Sequence, residues 1–160
     1  MSISKEDFRA ALSRFASGIT VVTSVDSSGR PHGMTVSAFC SVSLEPPLVL
    51  VCISTDTGSH TSIAESQKFA VNILNEDQTE LSERFSAPIE DRFSETEYCD
   101  DKNGLPLLNG ALANMECRLV HSYSGGDHTI YVGEIEVAYI AEGKPLLHFR
   151  GEYDRLGDKL

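Results

Sequence analysis

Apolar and polar positions repeat with two different periods along this chain, a helical one at the start and a strand-like one through most of the remainder. Phe8, Ala11, Leu12 and Phe15 fall on one helical face, and Ser4 stands three residues before Asp7 as in a capping box. This spacing predicts an amphipathic helix over 5–16 that Gly18 ends. Residues 19–25 are β-branched and alternating, and the turn at 26–29 leads into a second strand, so a hairpin is expected there. Residues 34–38 and 48–53 read as short buried strands, with Pro46 and Pro47 stopping any helix between them. Residues 61–66 are a short helical candidate and 69–74 a strand, and residues 75–77 cap a helix that runs through Leu81 to Arg84. Further on, Ala111, Ala113, Met115, Cys117 and Leu119 share one strand face, with Asn114, Glu116 and Arg118 on the other. Turns at 124–128 and 143–145 set off strands over 129–140 and 146–150.

Residues 86–109 break both patterns. They carry an acidic stretch, Pro88, Pro106 and two glycines, and are expected to make a long excursion over the surface. Many short strands with few helices predict a closed or nearly closed antiparallel barrel. A chain of 160 residues with a 41% apolar fraction is long enough to bury a core as one domain, 1–160. The interior of so small a barrel is filled by side chains, which leaves a large ligand to bind outside, against a helix or a second subunit.

Charge and cysteine usage narrow the chemistry. Thirteen Lys and Arg against 24 Asp and Glu give a formal net charge of -11, which disfavours nucleic acid as a partner. Any phosphate site must then rely on local arginines and backbone dipoles. The four cysteines include no C-x-x-C pair and the histidines no H-x-x-x-H pair, so a structural zinc site is not expected. No run is long enough to cross a membrane and the start lacks a secretion signal pattern, so the expected location is cytoplasmic, with reduced thiols. Cys40 has no base near it in sequence and is expected to be packed and buried. Hydroxyls gather between the apolar runs, at Thr35, Ser37, Ser41 and Ser43, then Ser54, Thr55, Thr57, Ser59, Thr61 and Ser62. Two readings of them stand, a cradle for a phosphate or a polar heterocycle edge, or ordinary turn and edge-strand decoration.

A resemblance covers nearly the whole length. It is carried by FASGITVV at 15–22, GMTVSAFCSVS at 33–43 with Pro46, Pro47 and Leu48 after it, and FAVNIL at 69–74. ERF at 83–85, GDHTIYVGE at 126–134 and FRGEY at 149–153 continue it, each weak alone and specific in their order and spacing. The chain resembles short-chain NAD(P)H:flavin oxidoreductases of the flavin reductase-like, FMN-binding split-barrel family. The resemblance implies a mainly β fold, an antiparallel split β-barrel of Greek-key type with a few flanking helices, assembled as a homodimer. It also implies reduction of FMN or FAD by NADH or NADPH, with release of reduced flavin to a partner monooxygenase.

By position, the resemblance sets Thr35, Val36, Ser37 and Ala38 along the flavin ring and Ser41 near the phosphate or ribityl chain. Ser54, Ser59, His60 and Thr61 would hold the rest of the phosphate end, with Arg84 supplying charge there. His128 would face the nicotinamide as the catalytic candidate, joined by Arg150 and Tyr153. Similar proteins often carry Ser or Thr where this chain has Cys40. Each residue also has a plainer reading: His128 as a solvated turn residue, Arg84 as a complement to its helix dipole, Arg150 as an edge-strand charge, Tyr153 as packing.

Elementary chemistry agrees with the resemblance. Hydride transfer between nicotinamide and flavin is performed by the cofactors, so no catalytic dyad is needed. No G-x-G-x-x-G fingerprint is present, which argues against a Rossmann nucleotide domain. A flavin carrier without turnover and a flavin-dependent oxidase of a small substrate remain alternatives. A serine hydrolase ranks far lower, since no G-x-S-x-G elbow exists.

Overall fold

The structure, a computed structural model, describes residues 3–100, 102 and 104–157. Its centre is a seven-stranded antiparallel sheet of β2 (Thr20–Val25), β3 (Pro31–Val36), β4 (Phe39–Ser43), β5 (Leu48–Ser54), β6 (Lys68–Ile73), β9 (Ala113–Gly125) and β10 (His128–Ile140), in the order β3-β2-β6-β9-β10-β5-β4. The two edge strands are consecutive in the chain, separated only by Ser37 and Ala38. The sheet therefore bends until its edges meet, and Cys52 N donates to Ala38 O at 3.1 Å beside a seam that carries no β3–β4 ladder. That is the split of a split barrel, and the mainly β expectation holds.

Alternation explains the filling. On β5, Val49, Val51 and Ile53 point inward, and Leu48, Leu50, Cys52 and Ser54 outward. The inward set packs with Val22, Val36, Phe69, Val71, Cys117 and Tyr131. Helix α2 (Gly58–Ser66) sends Ile63 into the same core and closes one end of the barrel. Gly133 makes room for this core, since a Cβ there would come within 2.6 Å of the Phe69 ring and 2.9 Å of the Cys117 side chain.

Strand β2 is buried along almost all its length because a second layer covers its outer side. There Ile19, Val21, Leu74, Phe85, Leu108 and Leu146 form another core, with Leu81, Phe93, Tyr98 and Tyr153 against it. Helix α3 (Thr79–Ser86) and the hairpin of β7 (Tyr98–Asp100) and β8 (Pro106–Leu108) build this layer. The excursion expected to run over the surface is thus corrected at its far end, where residues 105–108 are all buried. Its acidic first part hid a four-residue apolar run that the barrel needed as cover. A third sheet joins β1 (Ser17–Gly18), β11 (Leu147–Phe149) and β12 (Glu152–Asp154).

Helix α1 is shorter than expected, Lys5–Leu12, with Ser4 as its N-cap. Asp7 N donates to Ser4 Oγ, and that hydroxyl in turn donates to the Asp7 carboxylate. Residues 39–43, read from sequence as part of a hydroxyl-rich connection, are strand β4. The short helix expected at 61–66 begins three residues earlier, because the Thr57 side chain caps it by accepting from His60 N.

A buried carboxamide ties the layers together. Asn72 Nδ2 donates to Val21 O at 2.9 Å and to Thr23 Oγ1 at 3.2 Å, while Asn72 Oδ1 accepts from Leu108 N at 2.9 Å and from Asn114 Nδ2 at 2.7 Å. Thr23 Oγ1 donates onward to Pro106 O at 2.6 Å. Replacing Asn72 with Ala is expected to lower the unfolding free energy by about 3 kcal/mol, since several of these buried groups lose a partner away from water. Urea denaturation measures this, and a loss below about 1 kcal/mol would contradict the network described.

Candidate active site

Strand β5 organises the candidate residues, because its outward side chains run from an apolar cavity at one end to a polar turn at the other. The cavity, about 560 Å³, lies between α1, the outer faces of β4 and β5, and the β11–β12 hairpin. Ser37, Ala38, Cys40, Leu50, Cys52 and His148 line it, with Phe8, Leu12 and Phe15 of the α1 region opposite. Ser37 and Ala38, at the barrel seam, border it directly. Its size falls within the about 300–1,000 Å³ range of small-ligand pockets, and its mainly apolar walls suit a flat heteroaromatic ring.

Two residues beyond Cys52 on the same face, Ser54 pairs with His128 across the β5–β10 ladder. Thr55 N donates to Asp127 O at 3.1 Å, which fastens the loop before α2 to the β9–β10 turn. His128 Nδ1 lies 2.7 Å from Asp127 Oδ1, and this hydrogen bond, with the attraction of the imidazole, holds the Asp127 carboxyl below its ordinary range. Ser54 Oγ donates to Asp56 Oδ1 at 3.1 Å. The helix expected to help hold a phosphate therefore opens beside two carboxylates.

The other candidates divide by which face of their element they occupy. Ser59 is buried under α2, and His60 Nε2 bonds Thr129 Oγ1 at 3.0 Å inside the barrel end. Both side chains serve the plug helix, whereas Thr61 is exposed. Val36 is 4% exposed within the main core, and Thr35 Oγ1 donates to Ser82 O on α3 at 2.6 Å, so these two have only backbone atoms to offer at the seam. Ser41 is exposed on β4 but faces away from Cys40 and lies outside the cavity wall.

Arg84 does not reach the loop before α2. It donates to Glu95 O at 2.6 Å and pairs with the Glu95 carboxylate at 3.1 Å, on the α3 side of the molecule. Tyr153 is likewise turned inward and donates to Ser82 Oγ at 2.9 Å. Arg150 adopts a left-handed conformation (φ 56°) at the β11–β12 turn, lies 5.3 Å from the Phe149 ring centroid, and donates its backbone N–H to Ser13 O. It braces the hairpin that carries His148, a cavity residue that no sequence signal had marked. Cys40 is corrected as well: it is exposed and lines the cavity, because it sits on the outer face of an edge strand.

The chain belongs to the flavin reductase-like family, whose domain it matches over residues 12–157. Among curated relatives, the reductase component of a 4-nitrophenol 4-monooxygenase/4-nitrocatechol 2-monooxygenase from Rhodococcus opacus is 39% identical over 151 residues, 94% of this chain and 80% of that protein. An NADH-dependent flavin reductase from a Rhodococcus species is 42% identical over 154 residues, 92% and 84% of the two chains. Among solved structures, the Streptomyces globisporus C-1027 NADH:FAD oxidoreductase SgcE6, in complex with NAD and FAD fragments, superposes with a TM-score of 0.90 at 34% identity, covering 98% of this chain and 97% of that one.

The electrostatics yield two measurements. Burial, reinforced by the charges of Glu136 and Glu116, pushes the Cys117 thiol up to about 12, and burial alone raises Cys52. Iodoacetamide at pH 8 is expected to label Cys40 and Cys99 in the folded protein and to reach Cys117 only after unfolding; peptide mapping that finds Cys117 modified first would refute this. The Ser28 hydroxyl, and after it the His32 ring at 2.9 Å, holds the Asp26 carboxyl well below the usual range, and His32 packs in turn on Gly58 at the start of α2. Because the folded-state value is the lower one, the stabilisation is complete above the usual carboxylate range and is lost as pH falls. The stability gap between wild type and Asp26→Asn should therefore be constant from about pH 7 to 5 and close toward pH 2 in urea titrations. A gap that widens on acidification would reverse the assignment.

Proposed function

We propose that this chain, as one domain over 1–160, reduces free FMN or FAD with NADH and releases the reduced flavin to a partner monooxygenase. The observation that carries the reading is the apolar cavity at the Ser37–Ala38 seam, with the Ser54–His128 pair two residues beyond it on the same face of β5. Flavin and nicotinamide, when bound, supply the hydride chemistry themselves. Leu50 and Cys52 would hold the ring, α1 would exclude water, and backbone groups at the seam would meet the polar ring edge. With Nδ1 engaged by Asp127, Nε2 is the atom through which His128 meets the dinucleotide. The named relatives, one an NADH-dependent flavin reductase and one a monooxygenase reductase component, support the electron donor and the partner class.

A homodimer belongs to the same proposal. Helix α1 buries no side chain within the protomer, and Phe8, Leu12 and Phe15 are 53%, 59% and 81% exposed. Leu44 and Ile140 are each 85% exposed, on other parts of the surface. Apolar groups in such number mark association surfaces, and a second copy laid on α1 would roof the cavity. Four free cysteines, two of them exposed, suit a reducing cytoplasm.

Anaerobic mixing of the protein with excess FMN or FAD and NADH is expected to bleach the flavin's visible band over many turnovers. Bound flavin that stays yellow would favour a carrier and overturn the reductase reading. His128→Ala should raise the apparent KM for NADH about tenfold while leaving the flavin Kd within about twofold. Equal losses in both would remove His128 from the dinucleotide.

A further inference from the structure

Part of the cavity wall comes from the C-terminal hairpin, and its polar side chain is His148. This residue lies on the middle strand of the three-stranded sheet, paired with Ser17 of β1 on one side and Tyr153 of β12 on the other. Its backbone is thus fixed from both sides. Its ring meets the Tyr153 ring near edge-on, at 67° and 6.0 Å between centroids, and Tyr153 is itself fastened to α3 through Ser82. Two other polar groups of the wall are already engaged with the backbone. Ser13 already donates its hydroxyl to Ala10 O, Cys40 its thiol to Ser41 O, and Arg9 extends from the exposed face of α1.

Resting on the flavin reading, we infer that His148 is a flavin-binding residue that donates a hydrogen bond to the ring and binds the reduced form more tightly than the oxidised one. The reason is the direction in which charge moves. Hydride passes from C4 of the nicotinamide to N5 of the flavin, leaving NAD⁺ and a reduced flavin whose added electron pair places negative charge on the N1–C2=O edge. A protein of net charge -11 opposes that change at long range, so the compensation has to come from donors in contact with the ring. A ring nitrogen set on a doubly paired strand is pre-organised for this and needs little rearrangement as the charge appears.

Isothermal titration under anaerobic conditions measures the Kd of oxidised FMN and of dithionite-reduced FMN separately, with no turnover involved. His148→Phe keeps an aromatic ring against Tyr153 and removes both nitrogens. It should weaken reduced FMN about tenfold and oxidised FMN by no more than about twofold. His148→Gln, which retains a donor, should keep most of the wild-type preference, and His148→Met replaces the phenylalanine variant if its melting curve shows that it does not fold. Equal weakening of both redox forms, or no change in either, would overturn the role of His148 while leaving the flavin reading intact. A wild-type protein that binds FMN in neither state would overturn that reading and this assignment with it.

Discussion

The Asn72 carboxamide is the constraint on which the two-layer arrangement depends. It stands on β6, near the centre of the sheet, and its bonds reach β2, β8 and β9 at once. An apolar residue of similar size would fill the space, but it would leave the Leu108 amide without its acceptor and Asn114 Nδ2 with Leu108 O alone in a dry interior. Through β8 this group fixes the outer layer, and through α3 that layer holds Thr35 and Tyr153 at Ser82. One part of the cavity wall, His148, thus rests on a tyrosine that is held from the far side of the sheet.

Two kinds of packing meet at the seam. Inside, Gly133 lets the Phe69 ring come close against β10, and the barrel is filled by packed side chains. Outside, β4 and β5 present a row of modest apolar side chains, and α1 stands off from them. The ligand is left the outer surface because the inner one is spent on stability. The division also accounts for the exposed α1: a helix that covered the sheet as tightly as α3 covers β2 would occupy the place of the ring.

Much of the fold was legible because strand alternation is a local property. The inward and outward sets of β5 and β9 can be read from their residues alone. What failed to show depended on partners distant in sequence. Residues 39–43 carry serine at 41 and 43 and read as connection until β5 supplies a ladder for them. Residues 105–108 looked like the end of a polar excursion, and only the outer sides of β2 and β6, through Val21 and Ala70, explain their burial. The site divides along the same line. Ser37, Ala38, Ser54 and His128 lie together on the cavity side of the sheet. Thr35 and Tyr153 sit in equally suggestive motifs, but their hydroxyls are taken up by Ser82 of α3, Tyr153 reaching it from the same face of the hairpin as His148. Arg84 was drawn to a phosphate by its motif and meets Glu95, which no sequence pattern tied to it. His148 carried no signal because its importance comes from the hairpin that lifts it to the cavity.

The pairing of Ser17 and Gly18 with His148 and Leu147 has a bearing on biosynthesis. One wall of the cavity comes from near the beginning of the chain, another from its middle, and the last from β11, about 130 residues after β1. In a chain made from its N-terminus, β1 exists long before its partner β11, so the chamber lacks this wall until the last part of synthesis. A place for the ring is thus complete only after β11 has joined β1, and an unfinished polypeptide has no closed chamber to hold it.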